Sequence, residues 1–298
     1  MKRIVLILLS LGGVLPAAPV AQSQSVAPKV FVSVDMEGIW GVVHGEHVNA
    51  GSPDYTHARR WMAEDVNAVV AGLFEAGAGE VVVNDSHGGM RNIVADGLNP
   101  KASLVSGSPK PLGMMQGIDG TYQAVVFVGY HARAGSAPAI LDHTISSATI
   151  RGIRVNGQEL PELGLNAALA GYYKVPVILL TGDTETCAQA RAVLGAGLVT
   201  AAVKEAIGRT AARMYPAEVA RARLKESAKA ALAGRAGAQP FRIEGPYTFE
   251  VDFHNSAQAE LPSGLPGVKR TSPRSVSFTA SDYVEGFRLL RAIISLAG

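Results

Sequence analysis

The chain is poor in cysteine, in charge and in long apolar runs, and each shortage excludes a class of protein. Its 298 residues include one cysteine, Cys187, so no disulfide can form within the chain. Charged residues make up 17% and the net charge is +2, which argues against a disordered chain or one that coats nucleic acid. After the N-terminal segment, no apolar run reaches the roughly 20 residues that span a bilayer. The remaining class is a globular protein, with 48% apolar residues available for a core.

The N-terminal segment has the three parts of a secretory signal peptide. Met1-Lys2-Arg3 is basic, Ile4 to Leu15 is apolar, and Ala17 to Ala27 is rich in small and polar residues. The apolar part is too short to cross a bilayer. We therefore expect residues 1–27 to be a signal peptide, with cleavage after Ser23, Ser25 or Ala27. The mature protein is expected in a bacterial periplasm or outside the cell, without a membrane anchor.

From Lys29 onward, short runs of β-branched residues alternate with helical patterns, which predicts an α/β fold. We expect an open, mostly parallel sheet with flanking helices. The predicted strands are Lys29–Val34, Glu80–Asn84, Ser103–Ser106, Ala124–Gly129, Val177–Thr181 and Val199–Val203. The predicted helices begin near Ser52, at Glu162 and at Thr184.

The composition and the pattern of predicted helices and strands change after about Gly208, which predicts a second structural unit. A helix rich in Ala, Arg and Lys is followed by strands at Tyr247–Phe253 and Ser275–Ala280 and by a helix at Ser281–Leu296. The basic residues between Lys204 and Arg235 are expected on a solvated helix face rather than on an anionic ligand. We predict an α/β domain over residues 28–207 and a smaller C-terminal α+β lobe over residues 208–298.

Three apolar strands end in residues that bind cations. Asp35 and Glu37 follow the first strand, His87 follows the second, and His131 follows the strand at Ala124–Gly129. Ligands of an open parallel sheet bind outside the carboxyl ends of its strands, so these side chains are expected to converge. Singly, such an Asp is more often a turn former and such a His a surface residue.

Together, the four residues favour a metal site in residues 28–207. Asp35 and Glu37 are two apart on an extended segment and lie side by side, where their charges repel unless a proton or a cation lies between them. Imidazole and carboxylate ligands suit a zinc-like ion, and the lack of thiolates suits a catalytic site with open positions.

Other local motifs carry less weight. His44-Gly45-Glu46-His47 resembles a zinc motif, but its spacing does not place two histidines on one helical face. We find no nucleophile elbow, phosphate-binding loop or dinucleotide fingerprint, which argues against a serine hydrolase, a nucleotidase or a dinucleotide enzyme.

Longer strings around these residues resemble the zinc-dependent bacterial D-aminopeptidases associated with dipeptide transport. The resemblance lies in four strings in order: Ser33-Val-Asp-Met-Glu-Gly38, Val83-Asn-Asp-Ser-His87, Gly129-Tyr-His-Ala-Arg133 and Glu162-Leu-Gly-Leu-Asn-Ala167. It implies a dinuclear zinc centre with Asp35, Glu37, His87, His131 and Glu162 as ligands, and a catalytic role for His143. The residues alone single out neither Glu162 nor His143.

The resemblance also implies an activity and an assembly. The activity is removal of an N-terminal residue, often of D configuration, from a short peptide. The assembly is a homo-oligomer, in the family a large ring. The export segment departs from the family pattern and leaves the physiological substrate open. Two alternatives also stay open: a dinuclear metal hydrolase of another amide or of a phosphoester, and an exported protein that binds metal or peptide without catalysis.

Overall fold

The computed structural model describes residues 1, 2, 4 and 27–298. The predicted signal peptide lies almost entirely outside these residues, so it stays a prediction. Within the described part of the chain, no helix is both long and apolar enough to cross a membrane.

The structure is built from two sheets and their covering helices. The strands are β1 (Lys29–Val34), β2 (Glu80–Asp85), β3 (Ser103–Val105), β4 (Ala124–Val128), β5 (Ile150–Val155), β6 (Gln158–Glu159), β7 (Val177–Asp183), β8 (Val199–Gly208), β9 (Ala211–Met214), β10 (Tyr247–Phe253), β11 (Lys269–Ser272) and β12 (Ser275–Ala280). The helices are α1 (Gly45–Val48), α2 (Tyr55–Glu75), α3 (Glu162–Tyr172), α4 (Thr184–Leu194), α5 (Ala217–Ala233), α6 (Glu260–Ser263) and α7 (Tyr283–Ala297). Short 3₁₀ turns lie at Ala95–Gly97, Gly113–Met115, Arg235–Gly237 and Ala257–Ala259.

The first sheet has seven strands in the order β3-β2-β1-β4-β7-β8-β9. All neighbouring strands are parallel except β8 and β9, so the predicted open, mostly parallel sheet is confirmed. β1 lies between β2 and β4, and its residues are nearly all buried because a hydrophobic cluster packs against each face of the strand. The carboxyl ends of β1, β2 and β4 therefore meet at one edge.

Helices α2 and α5 cover one face of this sheet. The buried side chains Met62, Val66, Val69 and Leu73 form the inner stripe of α2. Gly72 lies where α2 meets α5, and a Cβ there would lie 2.2 Å from the carbonyl oxygen of Lys225. The absence of a side chain at Gly72 thus lets the two helices approach closely.

The second sheet is antiparallel, in the order β11-β12-β10-β5-β6, and takes strands from two distant parts of the chain. β5 pairs with β10, and β5 and β6 are joined by the Asn156-Gly157 turn. Both turn residues have positive φ, 52° and 79°, as a tight two-residue hairpin turn requires. The domain division at residue 208 stays a prediction, but the second sheet contains residues from both sides of it.

The basic stretch between Lys204 and Arg235 is not one helix. Lys204 lies in β8, β9 follows, and the helix begins only at Ala217. The prediction of a solvated helix face was wrong for Lys204, whose side chain is 0% exposed. Its ammonium is satisfied by backbone carbonyl groups, which sequence periodicity does not reveal.

Candidate active site

Asp35 and Glu37 lie in the segment that leaves β1 and runs close to the end of β4. The backbone N–H of Asp35 donates to the carbonyl of Val128, and that of Gly38 donates to the carbonyl of Gly129, both at 2.8 Å. A Cβ at Gly38 would lie 2.0 Å from the carbonyl oxygen of Tyr130, so this close path requires glycine. Both carboxylates are buried, at 3% and 4% exposure.

Two histidines from the neighbouring strand ends meet these carboxylates. His87 Nδ1, after β2, lies 3.2 Å from Asp35 Oδ1 and 3.2 Å from Glu37 Oε2. His131 Nε2, after β4, lies 3.3 Å from Asp35 Oδ2 and 3.5 Å from Glu162 Oε1. Each oxygen of Asp35 therefore faces a different histidine.

Glu162 and His143 complete the cluster from outside the strand ends. Glu162 is the first residue of α3, and its Oε2 accepts a hydrogen bond from the N–H of Ile145 at 2.6 Å. The His143 ring stacks on His131, with centroids 3.8 Å apart. The structure thus brings together all six residues named from the sequence: Asp35, Glu37, His87, His131, His143 and Glu162.

Backbone carbonyls fix the orientation of the three imidazoles. His87 Nε2 lies 3.0 Å from Val48 O, His131 Nδ1 lies 3.0 Å from Ala132 O, and His143 Nδ1 lies 2.8 Å from Leu141 O. Because a carbonyl only accepts hydrogen bonds, each of these nitrogens carries the proton. The other nitrogen of each ring has no backbone carbonyl as partner, the arrangement found in histidines that bind metals.

The electrostatics of the cluster show a shortage of positive charge. Burial and then the charge of Glu37 raise the pKa of Asp35 to about 7. Burial acts to lower the pKa of His131, but the charges of Glu162 and Asp35 outweigh it and raise this pKa to about 10. The pKa of His87 is likewise raised, by Glu37 and Asp35 against the effect of burial. A cation among these groups would relieve the same repulsion.

The donor atoms fit a metal ion. Asp35 Oδ2, Glu37 Oε2 and His131 Nε2 are buried and, among the described residues, have no hydrogen-bond partner. Although His131 Nε2 and Asp35 Oδ2 approach to 3.3 Å, they do not form a hydrogen bond. Unpartnered buried polar atoms that face one another are costly unless a ligand joins them.

Two sets of donor atoms, each within 4.8 Å, share His131. One set is His131, His143 and Glu162, and the other is Asp35, Glu37 and His131. His131 therefore belongs to two candidate groups of metal ligands.

A cavity of about 450 Å³ opens onto the cluster. Its wall includes Tyr55, Met90, Met114, Ile145 and Arg291, which come from separate parts of the chain. The volume lies within the range of small-molecule sites, roughly 300–1,000 Å³.

His44 and His47 lie apart from the cluster and serve the loop that contains them. His44 Nδ1 accepts from the N–H of Glu46 at the start of α1, and His47 Nδ1 accepts from the N–H of Val43. The same loop reaches the site through the carbonyl of Val48, which accepts from His87, and through Val48, Asn49 and Ala50, which line the cavity beside the cluster.

Two buried lysines lie behind the site and were not predicted from the sequence to belong to it. Lys204 Nζ donates to the carbonyl oxygens of Glu37, Ile39 and Val42 at 2.6, 2.8 and 2.5 Å. Lys110 Nζ donates to Asn84 Oδ1 and to a backbone carbonyl of β2, both at 2.8 Å. They hold the segments that carry Glu37 and His87. A single Lys within the apolar run of β8 was the available signal for Lys204.

Comparisons with known proteins agree over most of the chain. Residues 29–292 match the profile of the M55 peptidase family, described as D-aminopeptidase. The D-aminopeptidase of Bacillus subtilis (strain 168) is 36% identical over 271 residues, which cover 90% of this chain and 97% of that protein. A solved structure, the Zn-dependent D-aminopeptidase DppA from Bacillus subtilis, is described as a self-compartmentalizing protease. It is similar with a TM-score of 0.87 and 35% identity, covering 90% of this chain and 97% of that one.

Proposed function

The chain belongs to the M55 peptidase family of D-aminopeptidases, and on this basis we propose that it is a zinc-dependent aminopeptidase acting on short peptides with an N-terminal D-residue. The observation that carries the proposal is the buried cluster. Its imidazoles His87 and His131 are fixed by backbone carbonyls so that the second ring nitrogen of each faces carboxylate oxygens. The carboxylates of Asp35, Glu37 and Glu162 repel one another unless a proton or a cation lies among them.

We assign Asp35, Glu37, His87, His131 and Glu162 as the zinc ligands. Three carboxylates and two imidazoles exceed the ligand number of one tetrahedral ion, which supports two ions per chain. Asp35 is the candidate to contact both ions, because its two oxygens face different histidines.

Bound zinc supplies Lewis acidity at the scissile carbonyl and lowers the pKa of water. The protein's own contribution to proton transfer is His143. Burial, followed by the charge of His131, lowers the pKa of His143, so its ring is neutral at pH 7. Its Nδ1 donates to Leu141 O, which leaves Nε2 to accept a proton and then to release it to the leaving amine.

The test compares two single variants with the unaltered mature protein. We expect Asp35→Ala to lose zinc and peptide cleavage but to keep its fold, because an apoprotein with fewer clustered carboxylates has less repulsion. His44→Ala is the control, since the hydrogen bond that its side chain accepts among the described residues comes from Glu46 in the same loop. Circular dichroism checks the fold, elemental analysis counts the metal, and paired D- and L-aminoacyl dipeptides report activity.

Each outcome bears on a different part of the proposal. Full activity in the Asp35 variant, or activity that chelators do not affect, would refute the metal site. Metal loss in the His44 variant would show that a ligand lies in the α1 loop. Cleavage of a phosphoester or another amide, but of no peptide, would favour a different metal hydrolase. Zinc binding without turnover of any substrate would indicate a binding protein.

Assembly and location are further parts of the proposal. The solved relative is described as self-compartmentalizing, which supports a homo-oligomer for this chain. Light scattering of the purified protein tests this, and a monomer at micromolar concentration would contradict it. We also propose export to the periplasm or exterior after removal of residues 1–27, on the pattern of the N-terminal segment. N-terminal sequencing of the protein recovered from each compartment tests it.

A further inference from the structure

Arg291 is a charged residue in the wall of the catalytic cavity that the reaction above does not use. It lies on α7, close to the C-terminus, whereas the first candidate ligands lie close to the N-terminus. It lines the same cavity as Asp35, Glu37 and Glu162. Among the described residues, its guanidinium has no ion-pair or hydrogen-bond partner. The side chain is half-buried, and charged side chains in such positions are mostly paired, so a guanidinium without a protein partner that faces a cavity is available to bind an anionic ligand.

The fold holds Arg291 in this position from two sides. α7 is attached to α3, the helix that begins with Glu162, by a hydrogen bond of 3.0 Å from Tyr283 Oη to the carbonyl of Leu165. On the other side lies Gly113, where a Cβ would come within 3.3 Å of both Cζ and Nε of Arg291. The guanidinium therefore lies over a backbone segment that leaves room for it.

The charges of the cavity indicate what Arg291 would bind. The carboxylates of the described residues that line the cavity are Asp35, Glu37 and Glu162, and all three are assigned to zinc. The cavity thus has no spare carboxylate for the substrate's amine, but it has a spare guanidinium for an anion. Burial lowers the pKa of Arg291, yet a guanidinium stays charged at neutral pH.

We infer that Arg291 binds the C-terminal carboxylate of the substrate and so makes the enzyme selective for dipeptides with a free carboxyl end. The inference rests on the proposed function. In a dipeptide the carboxylate lies one residue, about 3.8 Å between Cα atoms, beyond the scissile bond, which is the reach expected inside one small cavity. A guanidinium matches a carboxylate with two parallel hydrogen bonds, a geometry that lysine cannot reproduce.

The experiment uses two substrates that differ only at the carboxyl end: D-alanyl-D-alanine and its C-terminal amide. The zinc-loaded mature protein is expected to cleave the free acid with a higher kcat/KM than the amide. Arg291→Met should lower kcat/KM for the acid by about 10- to 100-fold, mainly through KM, because a hydrogen bond to a charged group is lost. In the same variant, kcat/KM for the amide should change by less than about 3-fold. Arg291→Lys should recover only part of the kcat/KM for the acid, relative to Arg291→Met.

Two arginine variants serve as matched controls. Arg288→Met removes an exposed guanidinium from the same helix, one turn away from Arg291. It should leave kcat/KM unchanged for both substrates. Arg91→Met removes an exposed charge at the cavity rim, and any difference that it makes between the two substrates should disappear when salt is added, whereas the effect of Arg291→Met should persist. Zinc content should be the same in all variants.

The failures of the two proposals are distinguishable. If Arg291→Met lowers turnover of the acid and of the amide equally, or loses zinc, Arg291 has a structural or electrostatic role and the inference is wrong. Equal cleavage of acid and amide by the unaltered protein also overturns it, while the aminopeptidase assignment stands. If the unaltered, zinc-loaded protein cleaves neither substrate nor any other D-aminoacyl peptide, the proposed function fails and the inference fails with it.

Discussion

Replacing Lys204 by Met is the most informative single perturbation of the scaffold behind the site. The side chain donates three hydrogen bonds to the carbonyls of Glu37, Ile39 and Val42, and it is 0% exposed. Methionine has a similar length but no donor. The variant would leave three buried carbonyls without partners in the segment that carries Glu37.

The size of the effect follows from these contacts. An unsatisfied buried carbonyl costs about 1–3 kcal/mol, so three would cost about 3–9 kcal/mol if none found a new partner. Relief of the cost of burying an ammonium offsets several kcal/mol of this loss. We therefore expect a net loss of about 3 kcal/mol in the free energy of unfolding, or a fall in Tm of about 5–10 °C.

The assay is thermal unfolding together with zinc analysis. Lys204→Met should lower both Tm and zinc content, since Glu37 is no longer held in place. Lys225→Met is the matched control, because Lys225 forms only a surface ion pair with Glu75 and its loss should change neither quantity. If Lys204→Met had the Tm and zinc content of the unaltered protein, the three hydrogen bonds would not position the segment after β1.

Three further predictions concern the site and the core. His143→Ala should lower kcat by about 10²- to 10⁴-fold, the usual contribution of a general acid or base, while zinc content stays unchanged; loss of zinc would make His143 a ligand instead. Gly38→Ala should lose zinc and lower Tm, since its Cβ would lie 2.0 Å from a carbonyl oxygen. In Gly45→Ala the new Cβ would make only an ordinary contact, 3.8 Å from Asn49 Nδ2, so neither zinc content nor Tm should change. Burial raises the pKa of Cys187 to about 12, so iodoacetamide at pH 8 should leave the folded protein unlabelled and label it only on unfolding; rapid labelling would contradict its burial.

The site residues that follow strands could be predicted from the sequence alone. Asp35, Glu37, His87 and His131 follow β1, β2 and β4, and parallel strands bring their carboxyl ends to one edge whatever the loops do. The apolar runs gave most strands of the first sheet within one or two residues, because buried parallel strands are continuous β-branched segments.

The rest depends on contacts between distant segments. Glu162 lies in the first turn of a helix, and His143 lies in a loop, so only the family resemblance pointed to them. Arg291 reaches the cavity because α7 packs against α3, a contact that no local pattern encodes. Lys204 was misread because its partners are backbone carbonyls of a segment far away in the sequence.

The pairing of β5 with β10 also has a consequence for how the protein is synthesised. Val155 pairs with Phe249, so the partner strand of β5 leaves the ribosome about 90 residues later. At a rate of synthesis of about 5–20 residues per second, the edge of β5 stays unpaired for roughly 5–20 s. An unpaired strand edge is prone to aggregation and to chaperone binding during this period. Arg291 emerges later still. The nascent chain therefore holds every candidate zinc ligand well before it has a closed cavity, and a product truncated before α7 would contain those ligands without the wall that faces them.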